Sequence, residues 1–405
     1  METTEFLIIG AGPAGSAAGI ALRSGGEECV LVDKARFPRV KLCGGLFTGK
    51  SQGVLRELLG EEAYGECMGR CVTNTERKFS LWRTDERGRR MLVEVEPRRE
   101  IVLIDRPRFD EWMVRRYEAM GGRMIEGDGV ASIDFTHHVV YLSSGREIAY
   151  GTLIAADGAN GGVERMLMEH RGLLEGGRTF YNTYPRWDAT RGNSLCVEVN
   201  VEREDCPDAE GVQIHFGVVP RSYAWSFAKG DKVCLGLVQL NGVEMHIRQV
   251  FRQFLAAVGV RHAERYPLRG AMIPFGNYMP HPAYHPHGVL FVGDAARLVE
   301  PLTGEGIFYA LQSGVYAARS GGDTTQYIRD VSRLQRLIDK GGQYQRWLMG
   351  SPFHSLMCRH APKHPGFIEH FYSTQIEQAC LDHFPKIVWR YERGKGKEQG
   401  GLRRC

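Results

Sequence analysis

Gly10, Gly12 and Gly15 stand as Gly-x-Gly-x-x-Gly directly behind the apolar run Phe6-Leu-Ile-Ile9, and small residues continue through Gly19. This spacing binds phosphate. Gly10 permits a tight turn, Gly12 lets a pyrophosphate approach the backbone, and Gly15 lets helix and strand pack closely. The helix that begins there offers free N–H groups and the positive end of its dipole to phosphate oxygens. Asp33 lies 18 residues beyond Gly15, at the end of a second apolar run, Cys29-Val-Leu-Val32. A carboxylate at that distance accepts hydrogen bonds from an adenosine ribose and repels a ribose 2′-phosphate, so the pattern fits NAD or FAD and disfavours NADP.

Further residues of chemical interest stand at the ends of apolar runs. Asp157-Gly158 follows Thr152-Leu-Ile-Ala-Ala156, and Gly293-Asp294 follows Val289-Leu-Phe-Val292. Past Asp294 comes Pro301-Leu-Thr-Gly304-Glu-Gly306-Ile307, where a new helix is predicted to begin. Arg106 opens another helix, a position that does not favour a cation. Cys43 sits in the loop Lys41-Leu-Cys-Gly44-Gly45, a thiol close to a cation. Tyr223, Trp225 and Phe227 alternate by two and so share one face of a strand. That face is either ordinary sheet core or the wall of an apolar pocket. No metal site is expected. Cys67 and Cys71 lack two further ligands at matching spacing, and His281, His285 and His287 have no acid or cysteine beside them.

These residues need a scaffold of mixed type. Residues 1–35 read as strand–helix–strand, 51–65 as a helix, and Asp105-Arg-Pro107 as a helix start, with Pro107 suited to the first turn. From about 170 to 285 the pattern becomes short alternating runs, read as antiparallel strands with one face covered, followed by a helix over 242–258. Residues 288–320 return to strand–loop–helix, the remainder reads as helical, and a Lys/Arg/Gly-rich tail from 391 reads as disordered. The nucleotide-binding unit is therefore split: 1–65, 98–170 and 286–325, with 66–97 and 171–285 forming an inserted sheet, 326–390 a helical region and 391–405 the tail. The 405 residues are 43% hydrophobic and 25% charged, with a net charge of +4. That balance gives no reason to expect nucleic acid as a partner. No apolar run approaches the roughly 20 residues that span a bilayer. With scattered cysteines and an opening that reads as a strand and not as a signal peptide, a cytoplasmic location is expected, with peripheral membrane contact left open.

The ordered set Gly10–Gly15 with Asp33, Ile154–Asn160, and Phe291–Ile307 resembles the flavoprotein superfamily of aromatic hydroxylases, flavin halogenases and geranylgeranyl reductases. Lys41-Leu-Cys43-Gly44-Gly45, Arg106-Pro-Arg-Phe-Asp110 and Tyr223-Ala-Trp225-Ser-Phe227 resemble the geranylgeranyl reductase family in particular, with Ala228 in place of that family's proline. The resemblance implies an α/β fold: a GR2-type, Rossmann-like three-layer FAD-binding domain with an inserted antiparallel sheet domain and a helical C-terminus. It implies FAD as cofactor, held by Gly10, Gly12, Ala14, Gly15, Asp33, Lys34, Arg36, Gly44, Gly45, Arg106, Val130, Asp157, Gly293, Asp294, Gly304, Gly306 and Ile307. Asp294 would bind ribityl hydroxyls. It implies Cys43 near the flavin as a candidate catalytic residue, and Tyr223, Trp225 and Phe227 against an apolar, prenyl-type substrate. The implied reaction is reduction of a C=C bond. Aromatic-ring hydroxylation is the alternative, a halogenase lacks its Trp-x-Trp-x-x-Pro stretch, and a flavin-binding resistance or regulatory protein is the alternative of another class. With no second Gly-x-Gly-x-x-Gly, electrons would come from a transient donor, NAD(P)H or a ferredoxin.

Overall fold

The computed structural model describes residues 1–173, 192–240, 242–275, 278–350 and 353–373. The expected tail from 391 lies outside them. The first third of the chain runs β1 (Glu2–Ile9), α1 (Pro13–Ser24), β2 (Cys29–Asp33), β3 (Leu46–Phe47), α2 (Gly49–Cys71), β4 (Val72–Glu76), β5 (Phe79–Asp85), β6 (Gly88–Val95), β7 (Ile101–Ile104) and α3 (Arg106–Ala119). The middle holds β8 (Arg123–Glu126), β9 (Val130–Asp134), β10 (Val139–Leu142), β11 (Glu147–Ala155), α4 (Val163–His170), β12 (Gly192–Glu202), β13 (Val212–Phe216), β14 (Tyr223–Lys229) and β15 (Lys232–Gln239). Then follow α5 (Ile247–Ala257), β16 (Arg269–Phe275), β17 (Ala283–Tyr284), β18 (Val289–Phe291), α6 (Ile307–Arg319), α7 (Thr324–Met349), α8 (Phe353–His360) and α9 (Pro365–Phe371).

Two large sheets organise these elements. The first has the order β17-β18-β11-β1-β2-β8, with the β9–β10 hairpin attached to β11. Its centre is parallel: β1 lies between β2 and β11, and β11 pairs with β18. Buried on both faces, these strands read as unbroken apolar runs. Helix α1 packs against the sheet and against α3 and α6. It comes close because a Cβ on Gly15 would stand 1.9 Å from the Gly10 carbonyl oxygen. Gly10 itself turns the chain at φ +100°, a left-handed conformation that any side chain would strain.

The second sheet has the order β16-β12-β15-β14-β13-β5-β6. It draws strands from two distant segments, 79–95 and 192–275. One pairing departs from the antiparallel expectation: β13 and β5 are parallel. They belong to the two separate segments, so no hairpin imposes a direction on them. The period-two pattern sorts the sheet's residues. Val197, Val199, Leu235 and Leu237 pack with Phe251 and Phe254 of α5, while Cys196, Trp225, Phe227 and Val238 pack with Tyr344 and Met349 of α7.

Local expectations need two adjustments, and a third element begins where its residues indicated. Helix α2 continues past residue 65 to Cys71, with a break in helical conformation at Gly60. The later helix begins at Ile247 instead of 242. Asp105 caps α3, its carboxylate accepting the Arg108 N–H at 2.9 Å, with Pro107 in the first turn.

The glycine contact generates a test. Gly15→Ala forces a methyl group into the Gly10 carbonyl and should cost about 1–3 kcal/mol by overpacking. A lowered melting temperature is expected. A variant as stable as the wild type would show that α1 shifts freely against β1.

Candidate active site

One cavity of about 1250 Å³ runs from the glycine turn to the inner face of the second sheet. At one end stand Gly10, Gly12 and Ala14 at the start of α1, which carries no side-chain cap and no acid in its first turn. Asp33 is fixed by its neighbours: Oδ2 accepts the Ala11 N–H and Oδ1 the Ala35 N–H, both at 2.8 Å. Each oxygen keeps a lone pair for a further donor. Arg106 is buried and makes a two-pronged bond to Asp110, Nε to Oδ1 at 3.0 Å and Nη2 to Oδ2 at 3.2 Å. Arg39 reaches the same carboxylate at 3.3 Å. Two guanidiniums share one acid, which leaves net positive charge on this wall. Uncapped helix, close backbone and spare positive charge fit a bound pyrophosphate.

Asp294 lines the middle of the cavity, beside the turn that starts α6. Gly304 in that turn has φ +69°. Helix α6 begins at Ile307 with Gly306 as an uncapped N-terminus and no acid in its first turn, so its N–H groups and dipole face the cavity. Asp157, at the end of β11, accepts the Val163 N–H at 3.0 Å. It is partly shielded, and burial, reinforced by Glu164, pushes its carboxyl up to about 6. Lys34, Gly44, Gly45 and Val130 also line the cavity.

Three residues named from the sequence do not line it. Gly15 serves the α1–β1 contact. A Cβ on Gly293 would stand 2.9 Å from the Ala14 methyl, so this glycine packs one helix start against another. Arg36 lies against Gly127, on the outer side of β2.

Cys43 sits where the two halves of the cavity meet. Its N–H donates to Glu198 Oε1 at 3.2 Å and its Sγ accepts the Gly45 N–H at 3.3 Å. The aromatic strand faces inward here. Tyr223, Trp225 and Phe227 form a tilted ladder with centroid separations of 6.4 and 6.2 Å. The Tyr223 hydroxyl donates to the Thr303 carbonyl, tying β14 to the turn before α6. Core and pocket wall are thus one thing: Trp225 is buried in the sheet's apolar cluster and also lines the cavity. Beyond it the walls are apolar, with Ile214, Phe216, Ala271, Ile273, Phe367 and Phe371.

Sequence reasoning missed several polar residues. Glu305 takes a 2.6 Å ion pair from Lys50 and hydrogen bonds from Ser51 and Thr48. Glu300 locks the turn by accepting the Leu302 and Thr303 N–H groups, both at 2.8 Å. Glu198 was hidden because it falls on the polar side of its strand's alternation, with Ser194, Asn200 and Glu202, a side that ordinarily faces solvent.

Comparison with known proteins agrees with this geometry. The FAD binding domain family matches residues 3–171. The chain is an FAD-dependent oxidoreductase, and it resembles the geranylgeranyl reductases. It is 29% identical over 354 residues to an uncharacterized protein of Methanosarcina barkeri, covering 85% of this chain and 80% of that one. It is 27% identical over 367 residues to the menaquinone reductase of Mycolicibacterium smegmatis, covering 85% and 83%. A digeranylgeranylglycerophospholipid reductase of Methanocaldococcus jannaschii is 23% identical, covering 78% and 76%. Among solved structures, a geranylgeranyl bacteriochlorophyll reductase-like protein of Thermoplasma acidophilum superposes with TM-score 0.68 at 18% identity, covering 97% and 99%. The halogenase PltM superposes with TM-score 0.66 at 17% identity, covering 96% and 90%, so the fold alone does not select a reaction.

Two outcomes follow. Asp294→Ala removes a carboxylate from the cavity; with about 1.5–3 kcal/mol for a hydrogen bond to a charged group, FAD affinity should fall roughly 10- to 150-fold. Titration of flavin-free protein with FAD measures this, and unchanged affinity would assign the carboxylate no part in binding. Asp157 carries a pH signature. Its folded pKa is raised, so the folded state holds a proton that the unfolded chain releases, and stability falls as pH rises from about 4 to about 6. In flavin-free protein, Asp157→Asn should match the wild-type melting temperature near pH 4 and exceed it above pH 6. A constant difference across that window would contradict the shift.

Proposed function

We propose that this chain reduces carbon–carbon double bonds in an isoprenoid chain, using FAD reduced by a transient donor, NAD(P)H or a ferredoxin. The observation that carries this reading is the continuity of the cavity. A cleft shaped for a dinucleotide opens, past Cys43 and Gly44, into a branch walled by aromatic and aliphatic side chains. A long apolar chain can lie in that branch with one bond presented at the junction. The reductase relatives act on prenyl lipids by their names, which supports the same substrate class.

Reduced FAD supplies a hydride when bound. The protein's part is placement and exclusion. Gly10, Gly12, Asp33 and Arg106 hold the dinucleotide end, and Asp294 with the start of α6 holds the flavin end. Cys43 and the Tyr223–Trp225–Phe227 ladder border the reacting region and keep water from it. A lipid substrate also brings the protein to a membrane surface; among the described residues no helix is long and apolar enough to cross one.

The test is product analysis. Protein with dithionite-reduced FAD is mixed, without oxygen, with menaquinone or with digeranylgeranylglycerophospholipid in detergent micelles. Gain of two hydrogens in the isoprenoid portion supports the reading. Inertness toward both lipids, together with oxygen insertion into an aromatic substrate under air, would establish a hydroxylase instead. Because Trp225 is both core and wall, its removal mixes stability with binding. Ala271→Trp is cleaner: it fills the apolar branch at the sheet's inner face. Lipid-driven flavin reoxidation should slow on the order of tenfold or more with FAD content unchanged. An unaltered rate would remove the branch from substrate binding.

A further inference from the structure

Glu198 is buried where the alternation of its strand, with Asn200 and Glu202 on the same side, predicts solvent. It lies on β12, only 2% exposed, on the same inner face as Cys196. An acid buried in an apolar sheet is costly unless its oxygens are satisfied. One oxygen, Oε1, accepts the Cys43 N–H at 3.2 Å; the other, Oε2, is sealed from solvent and has no hydrogen-bond partner. The residue lines the cavity at the junction between the dinucleotide cleft and the apolar branch.

The strand register shows what the sheet has arranged around it. Glu198 stands opposite Gly236 on β15, and Gly236 stands opposite Trp225 on β14, so all three share one row and one face. A Cβ at Gly236 would fall 2.1 Å from the Trp225 ring, so the indole lies over β15, toward Glu198. On the other side the backbone of Gly44 closes in: a Cβ there would meet Phe227 at 2.8 Å and Trp225 at 3.3 Å. The carboxyl is therefore held in a dry corner between loop and indole.

We propose that Glu198 is the proton donor of the reduction, an inference that rests on the reductase reading above. One alkene carbon receives the hydride and its π pair takes the proton from Glu198 at the other carbon. Two C–H bonds form, while the π bond, the carboxylic O–H bond and the bond that held the hydride on reduced FAD break; the alkene gains two electrons and FAD is oxidised by two. Because Oε2 is closed off in its corner, delivery requires the carboxyl to turn toward the cavity; Glu198 is left as a carboxylate, and the same turn admits the water that restores its proton when product leaves. The lone oxygen Oε2 is the one that carries the transferable proton, since Oε1 is engaged as an acceptor.

The groups facing Glu198 are Lys41 and Cys43 of the loop, Lys229 of β14, Arg106 of α3, Cys196 beside it on β12 and Cys234 of β15. Burial raises the carboxyl above its usual range; the Cys43 N–H and the Lys229, Lys41 and Arg106 charges oppose that without cancelling it. A carboxyl raised by burial keeps its proton to higher pH than a free one, which suits a proton donor.

The experiment compares the FAD-loaded wild type with Glu198→Gln, Glu198→Asp and Cys43→Ala. Each is reduced with dithionite and mixed with the two lipids above, and reoxidation is followed per bound flavin as a function of pH. In the wild type the rate should fall as pH rises through the carboxyl's titration. In E198Q it should be on the order of 100-fold slower and flat with pH. E198D should keep the falling limb at reduced rate, and Cys43→Ala should keep it as well. Independently of substrate, the infrared difference between wild type and E198Q should contain a protonated-carboxyl band on the low-pH side of that limb, lost as pH rises through it. Wild-type rates and pH dependence in E198Q, loss of the falling limb in Cys43→Ala alone, or absence of the band would overturn the assignment. A wild type inert toward both lipids would instead overturn the reductase reading on which it rests.

Discussion

The approach of Gly44 to the faces of Trp225 and Phe227 is the constraint on which the site depends. It brings a loop of the dinucleotide-binding half into direct contact with the inner face of the second sheet. Any larger residue at 44 would meet Phe227 at 2.8 Å. The same loop donates the Cys43 N–H to Glu198. One short segment thus closes the cavity's waist, positions a thiol and a carboxyl beside it, and ties two independently built sheets together. The bond from Tyr223 to Thr303 makes a second tie between the same halves.

The polar architecture follows a consistent rule along the cavity. Where a dinucleotide's phosphates would lie, the wall offers uncapped helix starts and two arginines on one acid. Where hydroxyls would lie, it offers Asp33 and Asp294. Past the waist, charge disappears and the walls become Ile214, Phe216 and Phe371. The exception is Glu198 at that boundary, where one oxygen holds the Cys43 N–H and the other has no hydrogen-bond partner, which fits a role in moving a proton.

Much of this was legible in the sequence for local reasons. Glycine spacing, the acid at the end of β2 and the apolar runs ending in Asp157 and Asp294 are short-range signals with few physical readings. The alternation of Tyr223, Trp225 and Phe227 gave their shared face. What stayed hidden depends on long-range pairing. The parallel β5–β13 junction joins segments over a hundred residues apart, and nothing in either strand encodes its direction. The partnership of Cys43 with Glu198 spans 155 positions. Gly293 carries the mark of a ligand contact, yet it lies packed against Ala14, because close backbone approach to a helix and to a ligand demands the same residue.

The account's central claim is that one cavity holds FAD and an isoprenoid chain end to end, meeting at the Cys43–Gly45 loop. A crystal structure of the FAD-loaded protein with digeranylgeranylglycerophospholipid tests it most directly. The flavin ring should lie between that loop and the start of α6, with the lipid chain running between β14 and α9 and a double bond in contact with both the ring and Glu198. A lipid chain bound outside this branch, or a ring turned away from the loop, would contradict the account.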